Sequence, residues 1–426
     1  MTANEAFFDS LAPPAVLKHG ILRRYPVVFS AAAGQGSGRV VLLDGYAGRG
    51  RYKDGAPGSP VLLLDAASKL QAFREVECVF VELLQENFAV LEQVVEEHGG
   101  DVRRHSLQGD LSDHLNELMR RAEGAALFAF LDPFGTALAY DELVSVILGR
   151  PKWPPTEVLL HFSVGAIRRT AGLLRSRLDD LSEPDRKTIA RSDRFLGGDW
   201  WHDTALQMSD QPKVATRVAE QVAGDYCRSV CAATGCLAMW YPVRAQPDHE
   251  PAYYLTLFTR HPYGLWRFND SLSLAHAEWQ KAWRGKANSK SLSKAERERE
   301  RVRQFERDSG VLSLFENLPG WEEPPPVVDE LPPFDEKREA VRWVAEIERN
   351  VLELLQQGKP FRPGDRIGEV YGSVLGLARE KQVAEALKRL HAAGFSDTDG
   401  VGAKLDRLVV GPGPRLTGIE QTRDLR

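Results

Sequence analysis

Short apolar runs alternate with longer amphipathic segments as far as residue 165 of the chain. The runs are rich in branched and aromatic residues, which favours buried strands. Five runs have this character: 39–45, 76–82, 102–110, 126–135 and 157–164. The segments between them have the length and spacing of helices: 60–73, 85–97, 112–122 and 140–148. Strands that alternate with helices predict an α/β protein with a parallel, doubly wound sheet.

Two more strand-like runs follow a helical stretch at 165–236, within which a helix is predicted from about Lys213 to Ala233. These runs, 237–245 and 253–261, are joined by a short polar segment that contains proline, a pattern that predicts a β-hairpin. Five parallel strand–helix units followed by an antiparallel hairpin are typical of class I S-adenosylmethionine (SAM) methyltransferases. The pattern therefore predicts a Rossmann-like methyltransferase sheet with a terminal hairpin and a helical insertion.

The two ends of the chain differ from this central part. Residues 1–37 carry apolar positions at helical spacing and form a predicted helical lead-in to a methyltransferase-like domain at 38–283. Residues 284–335 are highly charged and then proline-rich, which is typical of a linker. The tail, 336–426, has three helical patterns followed by a strand-like segment at 404–410. This order predicts a winged-helix domain.

Composition narrows the class of protein further. The 55 Lys and Arg residues are balanced by 60 Asp and Glu, so the net charge of −5 provides no global attraction for nucleic acid. No apolar run reaches the roughly 18–20 residues that span a membrane, and the amino terminus lacks the pattern of a secretory signal. Four cysteines in 426 residues exclude a disulfide scaffold, which favours a cytoplasmic protein. The spacing of Cys227, Cys231 and Cys236 differs from that of zinc motifs, and we predict no metal site.

A glycine-rich turn follows the first predicted strand and is the first candidate binding site. It contains Asp44, Gly45, Tyr46, Gly48 and Gly50. Glycine at such a turn lets the backbone approach a ligand that a Cβ would exclude. An aspartate followed by spaced glycines is the pattern of the methyltransferase cofactor loop. The alternative is a glycine-rich surface turn without a ligand.

Acidic residues also end the second and third predicted strands. Glu82 is placed to accept the two ribose hydroxyls of a nucleoside cofactor, as acidic residues do in other α/β folds. Asp110 is placed to meet the adenine amino group. Each residue has an alternative interpretation, because a carboxylate there also stabilises the amino terminus of the following helix.

The fourth strand ends in Asp132, Pro133, Phe134 and Gly135, which resembles the motif of methyltransferases that act on exocyclic amines. An aspartate and a proline-fixed carbonyl together hold an NH₂ group with its lone pair towards the methyl group. The following aromatic ring can stack on a base. A strand-ending Asp-Pro turn is the alternative. His161, at the end of the fifth strand, lies near the same edge and is interpreted as a buried strand histidine more readily than as a substrate contact.

Five segments resemble the three-Cys-motif partner (TcmP) family, and the resemblance extends over residues 10–285. They are DGYAGRGRY (44–52), GAPGSP (55–60), VFVE (79–82), LDPFG (131–135) and YYLTLFTRHPYG (253–264). The resemblance implies a prokaryotic methyltransferase-like domain in which Asp44, Gly48 and Gly50 form the SAM loop. It implies that Glu82 binds ribose, that Asp110 meets adenine, and that Asp132, Pro133 and Phe134 orient the acceptor.

We therefore predict a SAM-dependent methyltransferase that transfers a methyl group to nitrogen on a nucleic-acid base or a related amine. Basic residues at 284–308 and at Lys388, Arg389 and His391 are candidates for phosphate contacts, although a solvated charged helix and a dimerising winged helix are the more frequent outcomes for such segments. The family name also implies a partner protein encoded nearby. The alternative hypothesis is a methyltransferase fold that binds nucleic acid or a partner without turnover. The acceptor and the oligomeric state stay open.

Overall fold

One seven-stranded sheet organises the computed structural model, which describes residues 12–133, 135–175, 181–207, 212–309, 328 and 330–418. The strands are β1 (Arg39–Asp44), β2 (Glu75–Glu82), β3 (Arg103–Gln108), β4 (Ala126–Leu131), β5 (Thr156–Phe162), β6 (Leu237–Val243) and β7 (Tyr253–Thr259). Their order across the sheet is β3-β2-β1-β4-β5-β7-β6. The first five strands are parallel, whereas β7 is antiparallel to both β5 and β6. The predicted parallel sheet with a terminal hairpin is confirmed.

Helices cover both faces of the sheet. They are α1 (Pro13–Leu22), α2 (Tyr25–Ser37), α3 (Ser59–Ser68), α4 (Gln85–Gly99), α5 (Leu111–Arg121), α6 (Val164–Leu174), α7 (Glu183–Leu196), α8 (His202–Leu206), α9 (Pro212–Thr234) and α10 (Pro262–Ser309). A short π-helix, Glu142–Ile147, lies where the sequence predicted a helix. Successive strand residues point to opposite faces, so Val40 and Leu42 enter one core while Val41 and Leu43 enter the other.

The lead-in forms two helices, and the first of them packs against α10. Arg23 and Arg24 occupy the break between α1 and α2, and each donates to Glu278 of α10 at 2.5 Å. Gly20 lies so close to α10 that an added Cβ would be 2.6 Å from the Cβ of Ala275. A helix that precedes the first strand is therefore fixed against one that follows the last strand.

The helix α10 runs through the predicted boundary at residue 283 and carries the chain towards four further helices. These are α11 (Glu336–Gln356), α12 (Ile367–Tyr371), α13 (Glu380–Ala392) and α14 (Pro414–Thr417). The Asn269 side chain joins α10 to the segment before α13, since it donates to the carbonyl of Ala378 at 2.9 Å and accepts from the amide of Gly376 at 2.6 Å. The domain division stays a prediction.

The predicted strand at 404–410 is wrong, and the winged-helix assignment is not confirmed. These residues form turns, and only Val410 makes a bridge, to Phe361. Two buried side chains explain the difference, because Leu405 and Val410 anchor the segment to the helices without a partner strand. No helix in the described ranges is long and apolar enough to cross a membrane.

Candidate functional site

The turn after β1 brings two glycine-containing segments into contact. Gly48 and Gly50 have φ of +62° and +75°, values that side chains with a Cβ rarely adopt. The amide of Gly58 donates to the carbonyl of Gly50 at 2.8 Å. A Cβ on Gly58 would lie 2.7 Å from that carbonyl oxygen, so the close approach requires glycine. The glycines expose backbone at the carboxyl end of β1.

Asp44 is fully buried beneath this turn. Its Oδ1 accepts from the amide of Tyr46 at 3.2 Å, and no described residue makes a hydrogen bond of regular geometry to the buried Oδ2. Burial raises the pKa of Asp44 to about 7, although the nearby Ser59 hydroxyl favours the charged form. The turn therefore rests on a buried carboxyl group that titrates near neutrality.

Glu82 and Asp110 both serve the local backbone in this structure. The Glu82 carboxylate is 4% exposed and accepts from the amide of Gly48 at 2.9 Å, the amide of Leu84 at 2.9 Å and the Asn87 side chain at 3.3 Å. Asp110 caps α5 by accepting from the amide of Ser112 at 2.9 Å. Binding of ribose and adenine by these residues stays a prediction.

A buried charge cluster lies at the carboxyl end of β4. Asp132 Oδ2 accepts from Lys18 Nζ at 2.5 Å, and Oδ1 is in contact with His161 Nδ1. The exposed fractions of the Asp132, Lys18 and His161 side chains are 18%, 8% and 17%. Both carboxylate oxygens of Asp132 are therefore engaged. Phe134, the third residue of the predicted motif, lies outside the described residues.

The charges in this cluster stabilise one another. Burial alone would raise the pKa of Asp132, but the opposing effect of the Lys18 charge and of the hydrogen bonds from Lys18 and His161 is larger and holds that pKa well below its usual range. Burial would likewise lower the pKa of Lys18, and the Asp132 charge outweighs it and raises that pKa. Lys18 is therefore an ammonium and Asp132 a carboxylate at neutral pH.

His161 is held on two sides. Its ring stacks on Tyr253 with centroids 4.0 Å apart and an interplanar angle of 24°, and its Nδ1 faces Asp132. The Tyr253 hydroxyl donates to the carbonyl of Pro14 at 2.8 Å, which fixes the stacking partner. Among the described residues none makes a hydrogen bond to Nε2. A neutral His161 with its proton on Nδ1 would present a lone pair on Nε2.

Lys18 and its neighbour His19 were not identified from the sequence. Burial, with the charges of Lys18 and Arg23, lowers the pKa of His19 to about 3. The neutral His19 ring lies 3.2 Å, at Nε2, from the Tyr52 hydroxyl. A signal was present, because Lys18 and His19 interrupt an apolar run on the buried side of α1.

The glycine turn and the charge cluster line one cavity of about 190 Å³. The sequence-predicted residues that line it are Tyr46, Gly48, Gly50, Asp132 and Pro133. Lys18, His161 and Ser163 also line it. Asp44, Gly45, Glu82 and Asp110 lie outside this lining. The cavity sits at the carboxyl ends of β1 and β4, where the strand order reverses and where open α/β sheets bind ligands.

Comparisons with known proteins give methyltransferases as structural neighbours. A protein from Staphylococcus aureus assigned as a caffeoyl-CoA O-methyltransferase matches 55% of this chain and 81% of its own, at 8% identity and a TM-score of 0.29. The methyltransferase PaMTH1 of Podospora anserina, in a structure with bound SAH, matches 55% and 75%, at 13% identity and a TM-score of 0.28. No family model and no curated protein matches the chain. Likeness at this level does not establish a shared activity, and the resemblance to the TcmP family stays a prediction.

Proposed function

We propose that this protein is a SAM-dependent methyltransferase. The observation that carries the proposal is a single cavity, at the reversal point of the sheet, lined by a glycine-rich backbone turn and by the Lys18, Asp132 and His161 cluster. The turn supplies a surface for a nucleoside cofactor, and the cluster supplies groups that hold an acceptor and receive its proton. Cofactor and acceptor surfaces that face one another are what a direct group transfer requires.

The residues at the turn fit this cofactor. Gly48 and Gly50 leave the backbone open to a ligand, and Asp44 keeps a buried oxygen to which none of the residues in the described part of the chain makes a hydrogen bond of regular geometry. When bound, SAM supplies a methyl group on a positively charged sulfur. The cavity of about 190 Å³ is smaller than the roughly 300–1,000 Å³ of small-molecule sites. Part of a bound SAM molecule would therefore lie outside the cavity.

The contacts of the Asp132 carboxylate indicate which kind of methyl acceptor the site favours. The nitrogen acceptor predicted from the sequence needs a free carboxylate oxygen to hold its NH₂ group, and here Lys18 and His161 contact both oxygens. We infer that Asp132 is a positioning residue and that His161 Nε2 accepts the proton of the acceptor. Lys18 has three N–H donors and uses one for Asp132, which leaves two for an acceptor oxygen. This arrangement favours a hydroxyl over a neutral amine.

Calorimetry tests the cofactor assignment directly. Titration of SAM into the protein is expected to give a micromolar Kd, and Asp44→Ala is expected to abolish the heat because it removes the buried carboxyl under the turn. Asp65→Ala, on the exposed side of α3, is the matched control and should leave the Kd unchanged. No heat from the unaltered protein at high SAM concentration would instead support the non-catalytic module.

His161→Gln is expected to separate binding from transfer. In a cell extract supplied with deuteromethyl SAM, label incorporation should fall about 100-fold, the scale of a lost general base. The SAM Kd and the circular dichroism spectrum should stay as in the unaltered protein. Mass spectrometry of the labelled product then gives the methylated atom. Label on nitrogen would contradict the hydroxyl acceptor, and unchanged incorporation would contradict the role of His161.

A further inference from the structure

A second cavity, of about 450 Å³, lies where β5 begins and β7 ends. This is the opposite end of the strands from the cavity that the glycine turn and Asp132 line. It is bounded by α2, by the segment that precedes β5, by the end of β7 with the first turns of α10, and by residues 404 and 407 of the tail. Its volume falls within the roughly 300–1,000 Å³ typical of small-molecule sites. None of its walls takes part in the chemistry proposed above.

The floor of this cavity is apolar. Tyr25, Phe29 and Ala33 of α2 are each no more than 8% exposed and present rings and methyl groups to the space. The one carboxyl among the described lining residues is Glu157, which is buried under the hydroxyls of Tyr25 and Thr259, each 2.6 Å away. Burial raises the pKa of Glu157 to about 7. The negative charge of the floor is therefore reduced at neutral pH, and the Glu157 carboxyl is covered by the two hydroxyls.

Aromatic rings stand at the rim. Trp153 is 60% exposed, and a Cβ on Gly36 would collide with its ring, so the indole lies directly against α2 at this glycine. Tyr263 lies under two guanidinium groups, with Arg267 and Arg407 at 5.1 and 5.7 Å from its ring centroid. Large exposed aromatic rings are the surfaces on which nucleic-acid bases stack.

Positive charge is in excess around these rings. Five cationic side chains line the cavity: Lys152, Arg260, Arg267, Lys404 and Arg407. Arg267 is paired with Glu380 at 2.6 Å and Arg407 with Asp406 at 3.3 Å. The guanidinium of Arg260 donates to backbone carbonyls and forms no ion pair with a residue in the described ranges. Lys152 and Lys404 form no ion pair with any residue that the structure describes. A chain whose net charge is −5 therefore concentrates unpaired cations here.

We propose that this second cavity binds a nucleotide, with the base against the apolar floor and the exposed indole of Trp153 and the phosphate beside Lys152, Lys404 and Arg260. A nucleotide carries both an aromatic base and an anionic phosphate. The base matches the apolar and aromatic residues of the lining, and the phosphate matches its lysine and arginine side chains, which are the usual partners of phosphate. The unit is either a free mononucleotide or the 5′-terminal nucleotide of a nucleic acid. Because the tail supplies Lys404, occupancy of the site would link the tail to the sheet.

Calorimetry with the full chain tests this proposal, using AMP, adenosine and a 5′-phosphorylated trinucleotide as probes. AMP is expected to bind, and adenosine, which lacks the phosphate, to bind about tenfold more weakly or not at all. Lys152→Glu combined with Lys404→Glu should weaken AMP binding about tenfold or more, and Trp153→Ala about fivefold. Tighter binding of the trinucleotide than of AMP would identify the end of a nucleic acid as the source. Tighter binding of AMP than of the trinucleotide would identify a free nucleotide as the source.

Two controls separate this site from the proposed cofactor site. Lys69→Glu, which reverses an exposed charge at the end of α3, should leave AMP binding unchanged. Saturating SAM and the Asp44→Ala variant should also leave it unchanged, because both act at the opposite end of the strands. Displacement of AMP by SAM, equal weakening by Lys69→Glu, or no binding of AMP and the trinucleotide at millimolar concentration would overturn the proposal. None of these results depends on SAM turnover.

Discussion

Lys18→Met is expected to lower the free energy of unfolding by about 3–5 kcal/mol at pH 7, the usual cost of removing one partner from a buried ion pair. The substitution keeps most of the side-chain volume but leaves the Asp132 carboxylate with His161 as its remaining partner. Unfolding in urea, followed by circular dichroism, measures the change. A decrease in the free energy of unfolding of less than about 1 kcal/mol would contradict this expectation, because it would show that solvation of Asp132 replaces the lost ion pair.

Two further variants serve as controls for Lys18→Met. Lys69→Met removes an exposed lysine and is expected to change the free energy of unfolding by less than about 0.5 kcal/mol. Asp132→Asn added to Lys18→Met should recover part of the loss, because it removes the unpaired charge. The depressed pKa of Asp132 means that its contribution to stability is present at neutral pH and lost as the pH falls through that pKa. In Lys18→Met this loss should begin at a higher pH.

Glu157 should contribute a decline in stability as the pH rises from 5 to 8, and Glu157→Gln should remove that contribution. Burial raises the pKa of Glu157 from 4.5 to about 7. A raised carboxyl pKa gives a contribution that is complete below the unfolded pKa and lost as the pH rises through the folded one. The difference of about 2.5 pKa units corresponds to about 3 kcal/mol. Urea unfolding at a series of pH values checks the slope.

The hydrogen bonds around Glu157 support a neutral carboxyl group. The Tyr25 hydroxyl lies 2.6 Å from Glu157 Oε2 and 3.0 Å from the carbonyl of Gly264, and it has only one proton for these two acceptors. A protonated Glu157 that donates to Tyr25 satisfies all three groups. Asp44, whose pKa is also raised to about 7, contributes a decline of the same sign. The exposed Glu123→Gln is the control, and an unchanged slope in Glu157→Gln would contradict the assignment.

The sheet was predictable because its signals are local. Each parallel strand is a compact apolar run, and alternate residues of β1 fill the cores on both faces. The handedness of parallel crossovers then limits the order of the strands. The predicted and observed strands end within a few residues of one another, and the hairpin of β6 and β7 pairs as its alternation indicated.

The charge cluster was only partly predictable because it depends on contacts that are distant in sequence. Asp132 was identified from its motif, but its partner Lys18 is 114 residues away, and nothing in the spacing pairs the two. Asp110 takes the helix-capping role that the sequence left as an alternative. The strand predicted at 404–410 was wrong for a similar reason. An apolar run forms a strand only when a partner strand lies beside it, and the sequence of the run does not show whether one does.

The packing of α1 on α10 sets an order of assembly during synthesis. Residues 13–22 leave the ribosome early, whereas the helix that holds them begins only at Pro262. A nascent chain that ends before α10 has every parallel strand and the Tyr253 contact to Pro14, yet it lacks the helix against which α1 packs and which follows the Lys18–Asp132 pair in the sequence. The cavity lined by the glycine turn and the Lys18, Asp132 and His161 cluster therefore gains its full packing only after α10 has been synthesised.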